Sequence, residues 1–244
     1  MWPQSPVVGG GPPPGVRVRV ALLVALLLVL VYLGGRKAQR ERFTLARTRP
    51  VVARADGAPY RVHLAHAGPE AAADALAGLN AQAIALLRHL RRRYGRRGAE
   101  GAGAAGAAGA AGAAGARGAA TRNLLARYNP DNLAENSPRD PTGDTAYSLD
   151  KGAVLAICLR SRTDPAAGLH AAELLSFVML HEMAHVAVDV LDHPPEFWRT
   201  FRWLLEEAEE AGLYRSPRFA EAPQNYCGIH VDYNPRHDPA VAPI

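Results

Sequence analysis

Two histidines and a glutamate in the second half of the chain have the types and spacing needed to bind and use a metal ion. They belong to the string His181-Glu182-Met183-Ala184-His185. Helix residues four apart lie on one face with Cβ atoms roughly 5–6 Å apart, so both imidazoles could reach the same ion. Glu182 points in another direction, where it could take a proton from a water that zinc acidifies to a pKa of about 7. The pattern predicts a catalytic zinc (Zn2+) site.

These residues fall inside a predicted helix that runs from Ala171 to Val190. The segment contains neither Pro nor Gly, and its apolar side chains recur at steps of three and four residues. A catalytic zinc needs three protein ligands and one open position, so a third ligand is required. We favour His193, eight residues after His185. The two prolines that follow His193 suit the first turn of a new helix and let the chain turn back.

Two alternatives for the third ligand remain open. Asp189 lies one turn further along the stripe that carries His181 and His185, although an acid there would more often orient a histidine. The helix predicted from Glu196 to Gly212 also carries an acidic cluster, which would otherwise be a solvated helix face. Its members are Glu206, Glu207, Glu209 and Glu210.

Several strings of the sequence resemble known zinc peptidases. His-Glu-Met-Ala-His followed by Asp-His-Pro-Pro-Glu-Phe-Trp at 192–198 resembles the WLM and SprT-like families, although WLM members usually place the third histidine at a shorter interval. The chain is also similar to uncharacterised WLM-like proteins of large DNA viruses and algae, in Tyr128–Asn132, Ala146–Gly152, Cys158–Arg160 and Tyr226–Gly228. The resemblance covers about residues 70 to 232 apart from an insertion. It implies an α+β, zincin-like metallopeptidase fold. It also implies peptidase activity on a protein or peptide substrate.

The resemblance also suggests how substrate and intermediate would be held. Tyr226, in a strand-like segment ending at Val231, could donate a hydrogen bond to the oxyanion of the tetrahedral intermediate, a role that zinc proteases often give to a tyrosine. His230 and His237 are weaker candidates. In zincins a strand near the metal helix offers its edge to the extended substrate, and by resemblance the strand Val154–Leu159 is the candidate here.

Cys158 and Cys227 are the only cysteines of the chain. They allow one disulfide but no disulfide framework, and whether they pair is left open. In a cytosolic domain both would be reduced, and Cys158 would behave as a small buried apolar side chain.

The N-terminal region contains an uncharged apolar run, Val20–Gly35, which predicts a single membrane-spanning helix. The run covers roughly 24 Å at about 1.5 Å per residue, and Arg17 and Arg19 could snorkel beyond it. A cleaved signal peptide or an organelle transit segment is the alternative. Basic residues follow the run between Arg36 and Arg42. They favour a single-pass membrane protein with a cytosolic catalytic domain, and a secreted or organellar location is the alternative.

Positive charge is concentrated in the same region. Residues 1 to 55 hold nine basic residues against Glu41, a balance of +8 in a chain of net charge +5, so the remainder carries −3. The catalytic region therefore lacks the basic character that nucleic-acid binding requires.

The predicted organisation is one catalytic domain with appendages. Alternating residues from Tyr60 to Leu64 predict a strand, Pro69 opens a long helix, and Thr145–Leu149 with Ala153–Leu159 form a hairpin. Gly-Ala-Ala repeats have no large side chain to bury and predict a flexible insertion without chemistry. The predicted segments are a disordered terminus 1–15, a transmembrane helix or signal anchor 16–35, a basic juxtamembrane linker 36–56, the peptidase domain 57–234 with its insertion 98–120, and a tail 235–244.

These observations together predict a membrane-anchored zinc endopeptidase in which Glu182 acts as general base and then delivers the proton to the leaving amine. One alternative is a membrane-tethered scaffold that binds peptides, with or without zinc, and catalyses nothing. A further alternative is a protease that acts on proteins crosslinked to DNA, as some WLM and SprT-like peptidases do. The predicted membrane segment and the charge of −3 argue against that role.

Overall fold

The computed structural model describes residues 19, 22–29, 46–95, 108–136, 145–149, 151–161 and 168–244. The chain divides into two compact units, Met1–Arg42 and Phe43–Ile244. The second unit has a mixed α+β fold, as the sequence predicted, in which long helices accompany a mixed sheet.

A five-stranded sheet organises the second unit. Its strands are β1 (Thr48–Val52), β2 (Pro59–His63), β3 (Leu133–Asn136), β4 (Ala146–Leu149) and β5 (Val154–Cys158), in the spatial order β1-β2-β3-β5-β4. The three inner strands run parallel, and β1 and β4 are antiparallel to their neighbours. A separate antiparallel hairpin is formed by β6 (Gln224–Tyr226) and β7 (Ile229–Val231). The predicted hairpin of β4 and β5 is confirmed.

Four long helices surround one hydrophobic core in the described part of the second unit. They are α1 (Pro69–Tyr94), α2 (Ala108–Arg127), α3 (Ala172–Ala187) and α4 (Pro195–Glu210). The predictions of α1, α3 and α4 are confirmed to within a few residues. The helices contact one another, and α1 and α3 also pack on the sheet. Side chains from both layers are fully buried in this core, among them Leu76, Leu86, Leu155, Phe201 and Leu204.

The Gly/Ala-rich segment is helical from residue 108 onward, so the predicted flexible insertion is wrong for residues 108–120. Residues 98–107 of that insertion lie outside the described residues. Alanine has the highest helix propensity, whereas each glycine costs about 1 kcal/mol. Packing on α1 and α3 supplies the rest of the stabilisation, and Ala120, Thr121 and Leu124 are buried there.

The folded unit extends beyond both predicted domain boundaries. β1 lies within the predicted linker 36–56 and pairs with β2 along its whole length, although residues 36–45 of that linker lie outside the described residues. The predicted tail 235–244 also belongs to the fold. Arg202 of α4 donates hydrogen bonds to the carbonyl oxygens of Asp238 and Val241 at 2.5 and 2.6 Å. Ile244 is buried.

The membrane prediction for the N-terminal region is wrong on the described residues. Within the predicted segment 16–35, residues 19 and 22–29 are described and helical, and the others, like 1–15, lie outside the description. No helix in the described part of the chain is long and apolar enough to cross a membrane. This finding contradicts the predicted single-pass localisation. The uncharged run itself is shorter than a hydrocarbon core of about 30 Å.

Candidate functional site

Three histidines converge at the C-terminal end of α3 and form what we call the three-histidine cluster (His181, His185 and His193). The Nε2 atom of His193 lies 3.1 Å from that of His181 and 3.2 Å from that of His185. The ligand atoms of all three lie within 4.8 Å of one another. His181 and His185 share a face of α3 because they are four residues apart, as the sequence predicted. Among the described residues, this is the group of side chains arranged to hold a metal ion.

A sharp turn after α3 brings His193 back to the end of that helix. Helix α3 ends at Ala187, and the backbone of the next residue, Val188, is extended. Asp192 then adopts a left-handed conformation, with φ of 57°, which reverses the chain one residue before His193. Aspartate tolerates this conformation better than most residues because its short polar side chain can bond locally. Helix α4 begins at Pro195, so the segment that presents His193 is held between two helices.

Side chains of two other elements hold this segment in place. Asn123 and Arg127 of α2 donate hydrogen bonds to the carbonyl oxygens of Ala187 and Val186, at 2.8 and 3.1 Å. They therefore bond the last carbonyl groups of α3, which have no partner within the helix. Arg127 also pairs with the Asp189 carboxylate at 2.5 Å.

The turn between β4 and β5 makes a further contact to the same segment. The ammonium group of Lys151 donates a hydrogen bond to the carbonyl oxygen of Val190 at 2.6 Å. Lys151 and Gly152 both have positive φ, 55° and 114°. A Cβ atom on Gly152 would lie 2.8 Å from the carbonyl oxygen of Arg127, so the turn can approach α2 only with glycine at this position.

Phe197 contacts all three imidazoles, a role that the sequence did not predict. Its ring centroid lies 4.3 Å from that of His185 in a stacked arrangement, 4.6 Å from that of His193 and 4.9 Å from that of His181. Phe197 is fully buried in the core, so the position of its ring is fixed. Its contacts with the three imidazole rings therefore restrict their orientations.

The environment of the cluster keeps its imidazoles neutral. Burial, followed by the proximity of the other two rings, lowers the pKa of His181 to about 3. Burial and the neighbouring His193 lower the pKa of His185 to about 4. Burial also lowers the pKa of His193, although Asp192 opposes the shift. Neutral imidazoles have the free lone pair that metal binding requires.

The other candidates for the third ligand bind elsewhere. The Asp189 side chain is exposed and paired with Arg127. Within the acidic cluster of α4, Glu206 pairs with Arg202, and Glu210 pairs with Arg93. Glu207 is buried and accepts hydrogen bonds from Tyr94 and Trp203, and Glu209 accepts from Arg236. The structure thus brings His193, and none of these acids, to His181 and His185.

Glu182 and Tyr226 line the same cavity as the cluster. The cavity has a volume of about 340 Å³, and His181 and His193 also contribute to its wall. Glu182 is 3% exposed. Complete burial and then the charge of Glu182 raise the pKa of Tyr226 well above its ordinary value. The hydroxyl group therefore stays protonated, and its oxygen accepts a hydrogen bond from the Cys158 N–H at 3.1 Å. Tyr226 is left able to donate its own proton.

The two weaker histidine candidates lie in different places, His230 at the cavity and His237 outside it. His230 is an exposed residue that lines the cavity. His237 lies in a short 3-10 helix, where its Nε2 atom is 3.1 Å from the carbonyl oxygen of Ser216. It is not among the residues that line this cavity.

A disulfide joins Cys158 of β5 to Cys227, the residue after Tyr226. The sequence left open whether the two cysteines pair, and the structure pairs them. Cys227 occupies the turn between β6 and β7 with φ of 48°, and its N–H donates a hydrogen bond to Nε2 of His170 at 3.3 Å. Both sulfur-bearing residues are 1% exposed. The disulfide thus ties the hairpin that carries Tyr226 to the central sheet.

The strand at the edge of the sheet differs from the one that the resemblance implied. β5 is an inner strand, hydrogen-bonded to β3 on one side and to β4 on the other, so the predicted role for Val154–Leu159 is wrong. In the described sheet β4 is the last strand on this side. Thr145 and Ala146, at the start of β4, line the cavity.

Proteins of large DNA viruses are similar to parts of this chain. It is 35% identical over 100 residues to an uncharacterised protein of Acanthamoeba polyphaga mimivirus, which corresponds to 41% of this chain and 49% of the viral protein. It is 32% identical over 85 residues to an uncharacterised protein of Invertebrate iridescent virus 6, or 35% of this chain and 46% of that protein.

These matches cover only part of each protein and assign no activity. Each spans about half the length of the curated relative, and neither relative's name states an activity. No family model and no solved structure matches the chain. The predicted similarity to uncharacterised viral proteins is confirmed, whereas membership of the WLM or SprT-like families stays a prediction.

Proposed function

We propose that this protein is a zinc-dependent peptidase with a zincin-like fold, related to the WLM and SprT-like families. In this proposal His181, His185 and His193 hold the zinc ion, Glu182 is the general base, and Tyr226 stabilises the oxyanion. The observation that carries the proposal is the convergence of three Nε2 atoms beside a buried glutamate.

The geometry of the cluster fits a zinc ion. Three nitrogen ligands at 2.0–2.1 Å from one tetrahedral zinc ion lie about 3.3 Å from one another. The separations from His193 to the other two Nε2 atoms are 3.1 and 3.2 Å. A site with three protein ligands also leaves one position for a reacting molecule, as catalytic zinc sites do and structural sites with four ligands do not. The composition of the cluster therefore favours catalysis over a purely structural metal.

The roles of the side chains follow from where they lie. Zinc, when bound, supplies acidification of a water molecule and polarisation of the scissile carbonyl group. Glu182, buried in the same cavity, accepts the proton that the water loses and passes it to the nitrogen of the leaving amine as the C–N bond breaks. The remaining hydroxyl group stays on the carbonyl carbon. Tyr226 donates a hydrogen bond to the oxygen that becomes negatively charged.

Metal content and hydrolysis measured together test this proposal. The full-length chain is compared with His193→Ala, Glu182→Gln and His237→Ala, the last being a matched histidine outside the cavity. We expect one zinc per chain in the wild type, Glu182→Gln and His237→Ala, and loss of zinc under mild chelation in His193→Ala. Hydrolysis of an unfolded protein substrate should persist in His237→Ala and fall by at least about a hundredfold in Glu182→Gln.

Three results would count against the proposal in different ways. Hydrolysis that survives in Glu182→Gln would remove the general base from the mechanism. Zinc bound at full stoichiometry without hydrolysis by the wild type would favour the peptide-binding scaffold that the sequence left as an alternative. Zinc retained in His193→Ala would show that His193 is not the third ligand.

A further inference from the structure

The cavity beside the three-histidine cluster is built mainly from apolar side chains. Phe177 and Val178 contribute from α3, one turn before His181, and Trp198 and Phe201 contribute from α4. Ile229 and Val231 of β7 also line it. Three elements of the fold therefore supply an apolar surface to the same space into which Glu182 and His181 project.

Aromatic contacts behind the cavity hold its shape. The ring of Phe177 lies 5.1 Å from that of Phe201 and 4.9 Å from that of Phe219. Trp198 meets Tyr233 edge to face at 5.3 Å. The rings of Phe201 and Phe219 are fully buried, so their positions are set by the core. The apolar wall is consequently formed before any ligand enters.

The charged groups that line the cavity are acidic. They are Glu182 and Asp232, and no Lys or Arg lines it among the residues that the structure describes. An acidic side chain entering the cavity would meet these like charges, and the cation that could offset them would be the zinc ion of the proposed function. A large uncharged side chain would instead replace water against the apolar wall, at roughly 25 cal/mol for each Å² removed from water.

We propose that this cavity selects peptides with a large apolar side chain, such as Phe or Leu, next to the cleaved bond. The inference rests on the proposed function, because it gives that site its substrate preference. A volume of about 340 Å³ is at the lower end of the range for small-molecule pockets, which suits one or two side chains and excludes a folded element. Ile229 is the residue through which this preference can be tested, because it lines the cavity and is 48% exposed, so that its substitution should not disturb the core.

Binding and cleavage of matched peptides test the preference. The probes are blocked octapeptides of Gly, Ala and Ser that carry Phe, Leu, Ala, Lys or Asp at one central position. Affinity is measured by tryptophan fluorescence on the zinc-loaded, full-length Glu182→Gln chain, and cleavage sites are mapped by mass spectrometry on the wild type. We expect the Phe and Leu peptides to bind at least about tenfold more tightly than the Ala peptide.

A pair of variants assigns the preference to the cavity. Ile229→Ser should reduce the ratio of Phe to Ala affinity by about threefold or more. Leu64→Ser, a change at a residue that is 56% exposed and does not line the cavity, should leave the ratio unchanged. If Glu182→Gln does not fold, the same affinities are measured on the wild type in the presence of a chelator, which prevents cleavage.

The outcomes separate this inference from the proposed function. Equal affinity for the Phe, Ala and Asp peptides, or a preference for the Lys peptide, would overturn the inference even if the wild type hydrolyses peptides. Selective binding of Phe and Leu peptides by a chain that binds no zinc and cleaves nothing would support the apolar cavity and overturn the peptidase. An equal loss of selectivity in Leu64→Ser would show that the preference arises elsewhere.

Discussion

Removal of the disulfide between Cys158 and Cys227 should destabilise the fold strongly while leaving the metal ligands in place. The bond closes a loop with a sequence separation of 69 residues. In the chain-entropy model, a loop of this length lowers the entropy of the unfolded chain enough to contribute about 4 kcal/mol at 25 °C. Cys158→Ala combined with Cys227→Ala should therefore lose up to about 4 kcal/mol of unfolding free energy.

Urea unfolding of the wild type and the double variant, with and without a dithiol reductant, measures this loss. With a slope of about 2 kcal/mol per M, the midpoint should fall by about 2 M in the double variant. The wild type should show the same fall when reductant is present, because two electrons and two protons convert the disulfide to two thiols. The double variant provides the control, since the reductant should leave its midpoint unchanged. Alkylation of the denatured chain should label two cysteines only after reduction.

The same variant should separate zinc binding from catalysis. The three-histidine cluster belongs to α3 and the segment after it, whereas Tyr226 precedes Cys227 in the tethered hairpin. Zinc stoichiometry should thus be preserved, and peptide hydrolysis should fall. An unfolding midpoint that does not respond to reductant, together with two thiols that react without reduction, would refute the reasoning from this disulfide.

Two further predictions concern the cluster. Arg127→Ala should weaken zinc affinity by up to about tenfold, because the side chain holds Val186 and Asp189 in the segment that presents His193. Competition with a chelating dye measures this, and unchanged affinity would contradict it. The metal-free chain should lose stability as the pH falls from about 6.5 towards 4. The lowered pKa values of His181 and His185 mean that only the unfolded state takes up protons there, at up to about 1.4 kcal/mol per pH unit for each histidine. Urea unfolding with a chelator at pH 7, 6 and 5 should show this decline; constant stability would oppose it.

The sequence predicted those parts of the site that depend on local periodicity. Helix α3 follows from a segment without Pro or Gly, and the spacing of His181 and His185 places both on one face. The position of His193 was favoured among alternatives, but its approach depends on a left-handed Asp192 and on Lys151, forty residues earlier in the chain. Such contacts leave no periodic signal in the sequence.

Two strands were missed for different physical reasons. β1 is short and lies in a basic segment, and its strand character comes from pairing with β2. β3 has the sequence Leu-Ala-Glu-Asn, in which Ala, Glu and Asn are residue types depleted in strands, yet Glu135 is 1% exposed in the middle of the sheet. Its carboxylate accepts hydrogen bonds from the Arg160 guanidinium at 3.0 Å and from the His63 N–H at 2.9 Å. Burial of this charge depends on partners distant in sequence, which composition alone does not reveal.

The Gly/Ala-rich helix shows why composition was misleading about the site itself. Repeats without large side chains predict a segment that contributes nothing to chemistry, and residues 108–120 contribute no ligand. They do continue without interruption into Asn123 and Arg127, which bond the carbonyl groups at the end of α3. Helix α2 packs on α3, and both polar side chains lie within hydrogen-bonding distance of the last carbonyl groups of α3. The repeat therefore belongs to the helix that supports the end of α3, after which the chain turns and brings His193 back to His181 and His185.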